Sequence, residues 1–386
     1  MENDESSQLI VNNQKFVVQD SLQAQFILGG IALNNRDYEA AVAIFSDLLR
    51  KTNSPRVKLE LARALFLAHR FKDAKQVFQE VLSERSIPWA VKQNVRLYLD
   101  EIDSTLGFVK FGLSFVSDSN PRNFTSSKEV MIAGQILNVV PLEDNREIRG
   151  IRYKMTTGKS FSDDGRMLGF FNLSFTDFEQ SQFDLWTGDT GFIYAFESLP
   201  QLRSRTGFEY SEQGGTKQYD FPYTSLLYTP DPVQQFRLNH EFKIGRLHVP
   251  SAPHLNANNY TLTTNFTRAL ENGVLVKGDL SIEKSHAIED PYSYYGGSVG
   301  FGADLPLNSW GVELFGSVGK RLYEGIDPFF GAKRDDTRKR YGLMVSNKNI
   351  KFFNFMPEIG VIYEQNDSSL DFFSYDKINF VFSLKE

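Results

Sequence analysis

Few residue patterns in this sequence could support catalysis. The segment Gly296-Gly-Ser298-Val-Gly300 matches Gly-x-Ser-x-Gly, in which a serine nucleophile lies on a sharp turn between a strand and a helix. Here the glycine-rich run continues to Gly302 within a strand pattern, and no helical pattern follows it. The missing helix also weakens a dinucleotide-binding interpretation. We therefore interpret these glycines as close packing or bending in the wall of a sheet, and we expect no enzyme activity and no catalytic residue.

Metal, thiol and nucleic-acid chemistry find little support either. The chain has no cysteine, which removes disulfides, thiolate metal sites and cysteine nucleophiles. Neither helical nor hairpin spacing brings the five histidines together as ligands; they are His69, His240, His248, His254 and His286. The net charge is −6, and no run of lysine and arginine suggests a nucleic-acid partner. We expect no cofactor, no metal and no nucleic acid.

The elements that position any site are mainly strands. From about residue 108 the chain is a succession of short segments in which apolar and polar residues alternate, as Val276 and Ile282 on one face and Lys277 and Glu283 on the other illustrate. Fifteen such segments can be counted, one of them at residues 129–139. Because bacterial outer-membrane barrels have an even count, one of the fifteen is expected to be a loop or a misdivided strand, and we expect a transmembrane antiparallel β-barrel over residues 107–386.

Composition agrees with a barrel that rests in lipid. Aromatic residues make up 14% of the chain, with 34 Phe and 16 Tyr, and most of them follow residue 108. The sequence has no apolar stretch of about 18 residues, so it predicts no transmembrane helix. No signal peptide is visible in the acidic, polar start, so we expect the sequence to be a mature chain with an initiator Met. The predicted location is the outer membrane of a Gram-negative cell.

The N-terminal part has a helical pattern that repeats. After a flexible lead over residues 1–22, residues 23–106 are predicted to form a short helical domain that repeats at an offset of 33 residues. The pattern resembles the tetratricopeptide repeat, in which small residues let paired helices approach and aromatic residues fill the gap. The packing positions are Leu28, Gly29, Tyr38, Ala41 and Phe45, then Leu61, Ala62, Phe71, Ala74 and Phe78.

A third amphipathic stretch, residues 88–102, is predicted to cap these repeats. We expect its inward face to carry Val91, Val95, Leu97 and Ile102. The whole chain is therefore predicted to be an α + β multidomain protein, with a short helical domain before the barrel. The helical domain is either a structural plug or spacer, or a binding surface for a peptide or protein.

The polar faces of two strands are the best candidates for the lumen of the barrel. They carry Arg237, Asn239, Glu241 and Lys243 on one strand and Lys277, Asp279 and Glu283 on the other. Two interpretations stay open: a salt-bridged structural interior, or a wall along which cargo slides or against which a plug rests. Mixed charges argue against a simple anion or cation channel.

Three segments of the barrel region resemble one known family. They are Phe111–Asn123, a first strand with its Asn-rich turn, then Arg338–Ser346 and Phe352–Asp376, the last hairpins with their Pro…Tyr…Asn-Asp-Ser…Asp-Phe…Tyr-Asp pattern. With the helical domain before it, this layout resembles the surface lipoprotein assembly modulator (Slam) family. The resemblance implies a fourteen-stranded outer-membrane barrel, a periplasmic helical domain, and movement of partner proteins to the cell surface.

The expected function follows from that resemblance. The protein would translocate, or help to deliver, surface lipoproteins or secreted haem- or metal-acquisition proteins from the periplasm to the cell surface. Its expected partners are the cargo protein, outer-membrane lipids, and a periplasmic chaperone or the barrel-assembly machinery. One alternative is an exopolysaccharide export porin, which also couples tetratricopeptide repeats to a barrel. The other is a soluble β-rich binding protein.

Overall fold

The chain folds into two compact units, residues 1–106 and residues 107–386. The computed structural model describes residues 7–11, 14–18, 21–84, 87–132, 134–140, 146–162, 166–231, 236–350 and 355–385. The prediction of helices followed by a barrel of about 14 strands is confirmed.

The first unit contains a short hairpin and five helices. The hairpin lies in the stretch expected to be a lead and consists of β1 (Ser7–Val11) and β2 (Gln14–Val18). The helices are α1 (Ser21–Asn34), α2 (Tyr38–Thr52), α3 (Pro55–Leu67), α4 (Phe71–Ser83) and α5 (Trp89–Leu106). Within the described residues, no helix is long and apolar enough to cross a membrane.

Local signals in the sequence explain where these helices begin and end. The Asp37 side chain accepts a hydrogen bond from the Ala40 N–H at the start of α2, the usual role of an N-cap residue. Asn53 ends the same helix in the left-handed region, with a φ of 45°. Pro55 begins α3, where its missing N–H leaves no helical hydrogen bond unmade.

The core of the first unit uses the repeated positions. Ala41, Phe45, Leu61, Ala62, Ala74 and Phe78 are buried, and Tyr38 and Phe71 pack against them, whereas Leu28 is half-buried. Gly29 is close to Phe45, because a Cβ there would lie 2.5 Å from the Phe45 Cζ atom. The helices therefore approach closely at this glycine, as the small-residue pattern predicts.

One inward residue of α5 was assigned wrongly. Val95 and Ile102 are fully buried and Val91 packs against the core, but Leu97 is only half-buried and is not in this core cluster. Tyr98 takes the inward position, with its ring stacked 5.0 Å from that of Phe78. A spacing of three or four residues therefore runs through Tyr98 and not Leu97.

The second unit contains sixteen strands in its described residues. They are β3 (Gly107–Asp118), β4 (Glu129–Ile132), β5 (Gln135–Asn138), β6 (Ile148–Ser160), β7 (Met167–Phe178), β8 (Leu185–Phe196), β9 (Leu199–Gln213), β10 (Thr216–Tyr228), β11 (Phe236–Leu247), β12 (Ala257–Ala269), β13 (Leu275–Ala287), β14 (Tyr294–Leu307), β15 (Trp310–Ile326), β16 (Lys333–Asn347), β17 (Met356–Ser368) and β18 (Tyr375–Lys385). All of them except β4 and β5 form a closed barrel in which sequence neighbours pair antiparallel.

The segment 129–139, one of the fifteen predicted barrel strands, does not join the wall. It folds as β4 and β5, which pair only with each other. Gly134 lies between them with a φ of 80°, a conformation that favours glycine and ends an extended strand. Removing this segment from the prediction leaves fourteen barrel strands, the even number expected.

Alternation along the strands separates a lipid-facing surface from an interior. On β13 the large side chains of Leu280 and Ile282 are exposed, and on β14 those of Tyr295 and Phe301 are exposed. The residues that alternate with them along these two strands, and so have the other parity (odd or even position) in the strand, are largely polar or glycine. This arrangement is typical of a barrel with an apolar outer band and a polar lumen.

The end of the barrel at which β3 finishes is called the distal rim. Four of its connections contain one short 3-10 turn each: Ser181–Phe183, Pro253–Leu255, Asp290–Tyr292 and Asp371–Phe373. The polar residue after each turn accepts a hydrogen bond from a backbone N–H near the end of the preceding strand; these residues are Asp184, Asn256, Ser293 and Ser374. Their backbone carbonyls accept hydrogen bonds from N–H groups of the neighbouring connections, at Gly214, Ile288 and Ser126, or of the end of β15, at Glu324. The rim is therefore a chain of hydrogen-bonded loops.

Candidate functional site

The seven predicted lumen residues all lie on one face of the wall. On β11 they have the parity opposite to Phe242 and Ile244, whose side chains are exposed. On β13 they have the parity opposite to Leu280 and Ile282. The structure therefore places Arg237, Asn239, Glu241, Lys243, Lys277, Asp279 and Glu283 on the inner face. β12 separates the two groups, so each finds its partners on other strands.

Lys243 belongs to a network that spans four strands. Its Nζ lies 2.8 Å from Oε1 of Glu209 on β9 and 4.3 Å from the ring centroid of Tyr223 on β10. The Tyr223 hydroxyl donates to Asp189 on β8 at 2.8 Å, and Arg205 pairs with the same carboxylate. The network combines ion pairs with cation–π contacts, and both stabilise charges in a partly desolvated place.

Lys277 connects three adjacent strands. Its Nζ lies 2.9 Å from Asp304 on β14 and 3.2 Å from Glu313 on β15. All three side chains are partly exposed to the lumen, so water screens the attraction between them. The group is a structural tie across the inner wall.

Glu283 makes the most regular of these ion pairs. Its two carboxylate oxygens accept from Arg321 on β15 at 2.6 and 3.0 Å, a bidentate geometry. The Arg321 guanidinium also lies 4.6 Å from the ring centroid of Tyr294. Two strands that are not neighbours are thereby joined across β14.

The glycine run on β14 gives these side chains their space. A Cβ at Gly296 would lie 3.1 Å from Oε1 of Glu283, and one at Gly300 would meet the Asp279 carboxylate. Ser298 lies between them in the middle of a strand, with no strand-to-helix turn. The resemblance to a nucleophile elbow therefore has a structural cause, which is room for charged side chains on the neighbouring strand.

The remaining predicted lumen residues take less regular positions. Asn239, near the start of β11, accepts a hydrogen bond at 3.2 Å from the hydroxyl of Thr229, the first residue after β10. Asp279 is exposed to the lumen. The part that any of the seven residues takes in cargo passage stays a prediction.

Residues that the sequence interpretation missed include two basic side chains on β6. Arg152 and Lys154 share the inner face and line a cavity of about 470 Å³ with the carboxylates of Asp189 and Glu209. Arg152 donates through Nε to the Thr176 hydroxyl at 3.1 Å. Both residues alternate with apolar neighbours along β6, and this pattern could have placed them on the inner face from the sequence. In the part of the chain that the structure describes, no group of three or more possible metal ligands is present.

The wall of the barrel closes between β3 and β18, a junction called the seam. Its register contains three residue pairs, Ser114 with Ser383, Phe115 with Phe382, and Val116 with Val381. The next shortest register in the barrel, between β10 and β11, contains six pairs. Among the described residues, pairing at the seam is therefore the shortest in the wall.

Serine side chains continue the seam toward the distal rim. The Phe380 N–H donates to the Ser117 hydroxyl at 3.2 Å, and the Ile378 N–H donates to the Ser119 hydroxyl at 2.8 Å. The salt bridge between Lys377 and Asp118, at 3.3 Å, crosses the same junction. Side-chain contacts thus replace part of the regular backbone ladder.

Comparison with solved structures returns other outer-membrane barrels at low similarity. OpdK of Pseudomonas aeruginosa with vanillate is 10% identical with a TM-score of 0.41, over 72% of this chain and 98% of that chain. In-vitro folded OmpT of Vibrio cholerae is 7% identical with a TM-score of 0.37, over 72% and 96%. The anion-selective porin from Comamonas acidovorans is 7% identical with a TM-score of 0.37, over 72% and 98%. These scores carry no argument about function.

A search of the curated proteins finds no match. Residues 108–386 match the family described as surface lipoprotein assembly modifier, a range that contains nearly the whole barrel unit. The helical unit lies outside the match, so its likeness to tetratricopeptide repeats stays a prediction. The match confirms the family resemblance drawn from the barrel segments, and with it the outer-membrane location. This protein is an outer-membrane β-barrel that belongs to the surface lipoprotein assembly modifier family.

Proposed function

We propose that this protein moves surface lipoproteins, or helps to deliver them, from the periplasm to the cell surface. Family membership supports a role in surface lipoprotein assembly. The observation that carries the finer proposal is the closed barrel with ion pairs of both signs along its inner wall, such as Glu283 with Arg321 and Lys243 with Glu209. A wall of mixed charge selects no single sign of small ion, and it offers hydrogen-bond partners to an extended polypeptide.

The helical unit is proposed to lie in the periplasm and to dock the cargo. Two features support this. Its helices pack around a core of their own, which includes Phe45, Phe66 and Phe78. The chain passes from α5 at Leu106 directly into β3 at Gly107, at the end of the wall opposite the distal rim. Cargo arriving alone or with a periplasmic chaperone would meet this unit first. Secreted haem- or metal-acquisition proteins are a second class of cargo.

The remaining partners are lipids and the barrel-assembly machinery. Exposed apolar side chains such as Phe111, Ile282 and Phe301 would contact acyl chains of the outer membrane. The barrel-assembly machinery would insert the chain. The proposed role is non-enzymatic, and export would be driven by folding of the cargo outside the cell.

The experiment that tests the proposal compares intact cells with and without the gene. Lipoproteins are labelled metabolically with an alkyne palmitate, and those at the surface are captured with a membrane-impermeant biotin reagent. We expect a set of palmitate-labelled proteins to lose surface exposure in the deletion while remaining in the cell at unchanged amounts. Unchanged exposure of every labelled protein, together with altered surface polysaccharide, would refute lipoprotein delivery and support the polysaccharide export alternative.

A further inference from the structure

The seam combines short pairing with strands that are long enough to pair further. Continuing its register would set Leu113 opposite Leu384, and Leu384 does pair with Pro357 on the other side of β18. Within the described residues, however, the register stops at Ser114 and Ser383. Each backbone pair left unmade removes a hydrogen bond that would otherwise resist separation of the strands. Counted in paired backbone residues, the seam is therefore the junction of the described wall that resists opening least.

The seam is held at the distal rim and unpaired at the opposite end. The connection after β3 contacts the turn before β18, where the Ser126 N–H donates to the Ser374 carbonyl at 2.9 Å. The Ser126 hydroxyl bonds to Asp376, and the Thr125 hydroxyl donates to the Asp371 carbonyl at 2.6 Å. Separation of the two strands would therefore start at the end where the helical unit joins and would turn about the distal contacts.

An apolar groove of about 790 Å³ lies across the seam. Most of the side chains that line it belong to the outward parity, including Phe115, Ile151, Ile359, Phe380 and Phe382. Its distal end is charged, with Glu147, Arg149, Asp177 and Glu179. The groove thus has an apolar floor and a charged end, the polarity of a lipid with its acyl chains and polar head. Its volume falls in the range of about 300–1,000 Å³ that ligand sites occupy.

The lumen beside the seam is charged, and the apolar cluster of the inner face, which includes Phe170 and Phe221, lies on β7 and β10. The inner wall carries the ion pairs of Lys277, Glu283 and Lys377, and acyl chains lying there would displace water from charged groups without replacing their hydrogen bonds. Acyl chains gain free energy by remaining in contact with apolar surface. A lipid-modified polypeptide therefore needs a place where its polar chain can use the lumen while its acyl chains stay outside the wall.

Resting on the proposed function, we propose that the seam opens laterally and that the groove outside it receives the acyl chains of a lipid-modified cargo protein. The polypeptide would pass along the charged inner wall, and the acyl chains would pass through the parted strands. The groove is continuous with the seam, since Phe115 and Val116 from β3 and Val381 and Phe382 from β18 line it.

The first test locks the seam with a disulfide in the full-length protein. Ser114→Cys with Ser383→Cys joins two directly opposed residues, and the chain has no other cysteine. Opposed strand residues lie about 4.5–5.5 Å apart at Cα, a separation that a disulfide spans. The matched control is Ser281→Cys with Ser298→Cys, an opposed serine pair in the fully paired β13–β14 hairpin. Mobility on non-reducing gels verifies each lock.

We expect the oxidised seam lock to abolish surface capture of palmitate-labelled proteins and reduction to restore it, whereas the control lock has no effect. Full surface capture with a verified seam lock would overturn the inference while leaving delivery itself intact. If deletion of the gene also leaves capture unchanged, the proposed function fails instead. A cargo protein identified by this capture is then given an epitope tag and expressed without its acylated cysteine. If the seam lock blocks surface exposure of the tag equally, the assignment to acyl chains is overturned.

A second test fills the groove without joining the strands. Ile359→Trp adds bulk to the groove, and Ile282→Trp adds the same bulk to an equally exposed lipid-facing site on β13. We expect slower appearance of palmitate-labelled proteins at the surface for Ile359→Trp alone. Identical rates for the two variants, at equal amounts of folded barrel, would overturn the groove as the acyl site.

Discussion

Replacing Phe78 by alanine gives a direct test of whether the helical unit holds together as one cooperative core. The Phe78 side chain is 0% exposed, and its ring stacks on that of Tyr98 at 5.0 Å with an interplanar angle of 13°. Removing a buried phenylalanine side chain costs about 3–5 kcal/mol in lost burial and in the cavity left behind. Native domains have free energies of unfolding of about 5–15 kcal/mol, so the variant loses a large share of its stability.

The expected shift in melting temperature is large enough to measure in the intact protein. For a domain of this size, each kcal/mol lowers the midpoint by about 4–8 °C, so a loss of about 3–5 kcal/mol gives a shift of about 12–40 °C. The measurement is far-UV circular dichroism at the helical minimum, on the full chain in detergent. Phe111→Ala removes the same side chain from an exposed lipid-facing position of β3 and serves as the control.

The Phe78→Ala variant also separates the roles of the two units. If the helical unit docks cargo, surface capture of lipoproteins should fall at a growth temperature above the new midpoint, while the amount of inserted barrel stays constant. A helical transition at the wild-type temperature would refute the packing argument. Normal surface capture with a melted helical unit would refute docking by this unit.

Three further predictions concern packing, lipid contact and the lumen. Gly29→Ala should destabilise the helical unit by about 1–3 kcal/mol, because the added methyl group overpacks against Phe45. Gly30→Ala, which has open space around it, should stabilise the unit by about 0.5–1 kcal/mol. Thermal melts should therefore show a lower melting temperature for the first variant and a higher one for the second. In single-tryptophan variants, brominated lipids should quench exposed Trp186 and spare Trp89, and equal quenching would contradict the assignment of the outer face. Arg321→Met should lower the free energy of unfolding of the barrel by about 1–2 kcal/mol, measured as a lower midpoint temperature of the heat-induced shift in gel mobility. An unchanged midpoint temperature would show that water already screens the ion pair between Arg321 and Glu283.

The sequence predicted the barrel well because a strand in a membrane wall has two different environments on its two faces. The alternation in Leu275–Ala287 is imposed by lipid on one side and the lumen on the other. The segment 129–139 shows the limit of this signal. It has the apolar content and length of a barrel strand, yet its two short strands pair with each other outside the wall, which the local sequence cannot distinguish.

The sequence could predict which residues face the inside of the wall, but not which residues they pair with there. Parity along β11 and β13 was enough to place residues such as Lys243 and Glu283, whereas their partners Glu209 and Arg321 lie on other strands. Such pairs depend on the shear between strands, which turns and bulges set. The seam was beyond prediction for the same reason, since its short register is a property of the closed barrel and not of either strand.

The short connections of the distal rim limit how much of this protein other molecules can recognise from outside the cell. With the helical unit in the periplasm, as proposed, that rim faces the outside of the cell. Most of its connections are tight turns tied to their neighbours, and the long one, residues 119–147, carries the β4–β5 hairpin. The connection that carries the hairpin therefore offers an external binding protein, such as an antibody, the longest stretch of chain on this rim, and sequence variation should concentrate there.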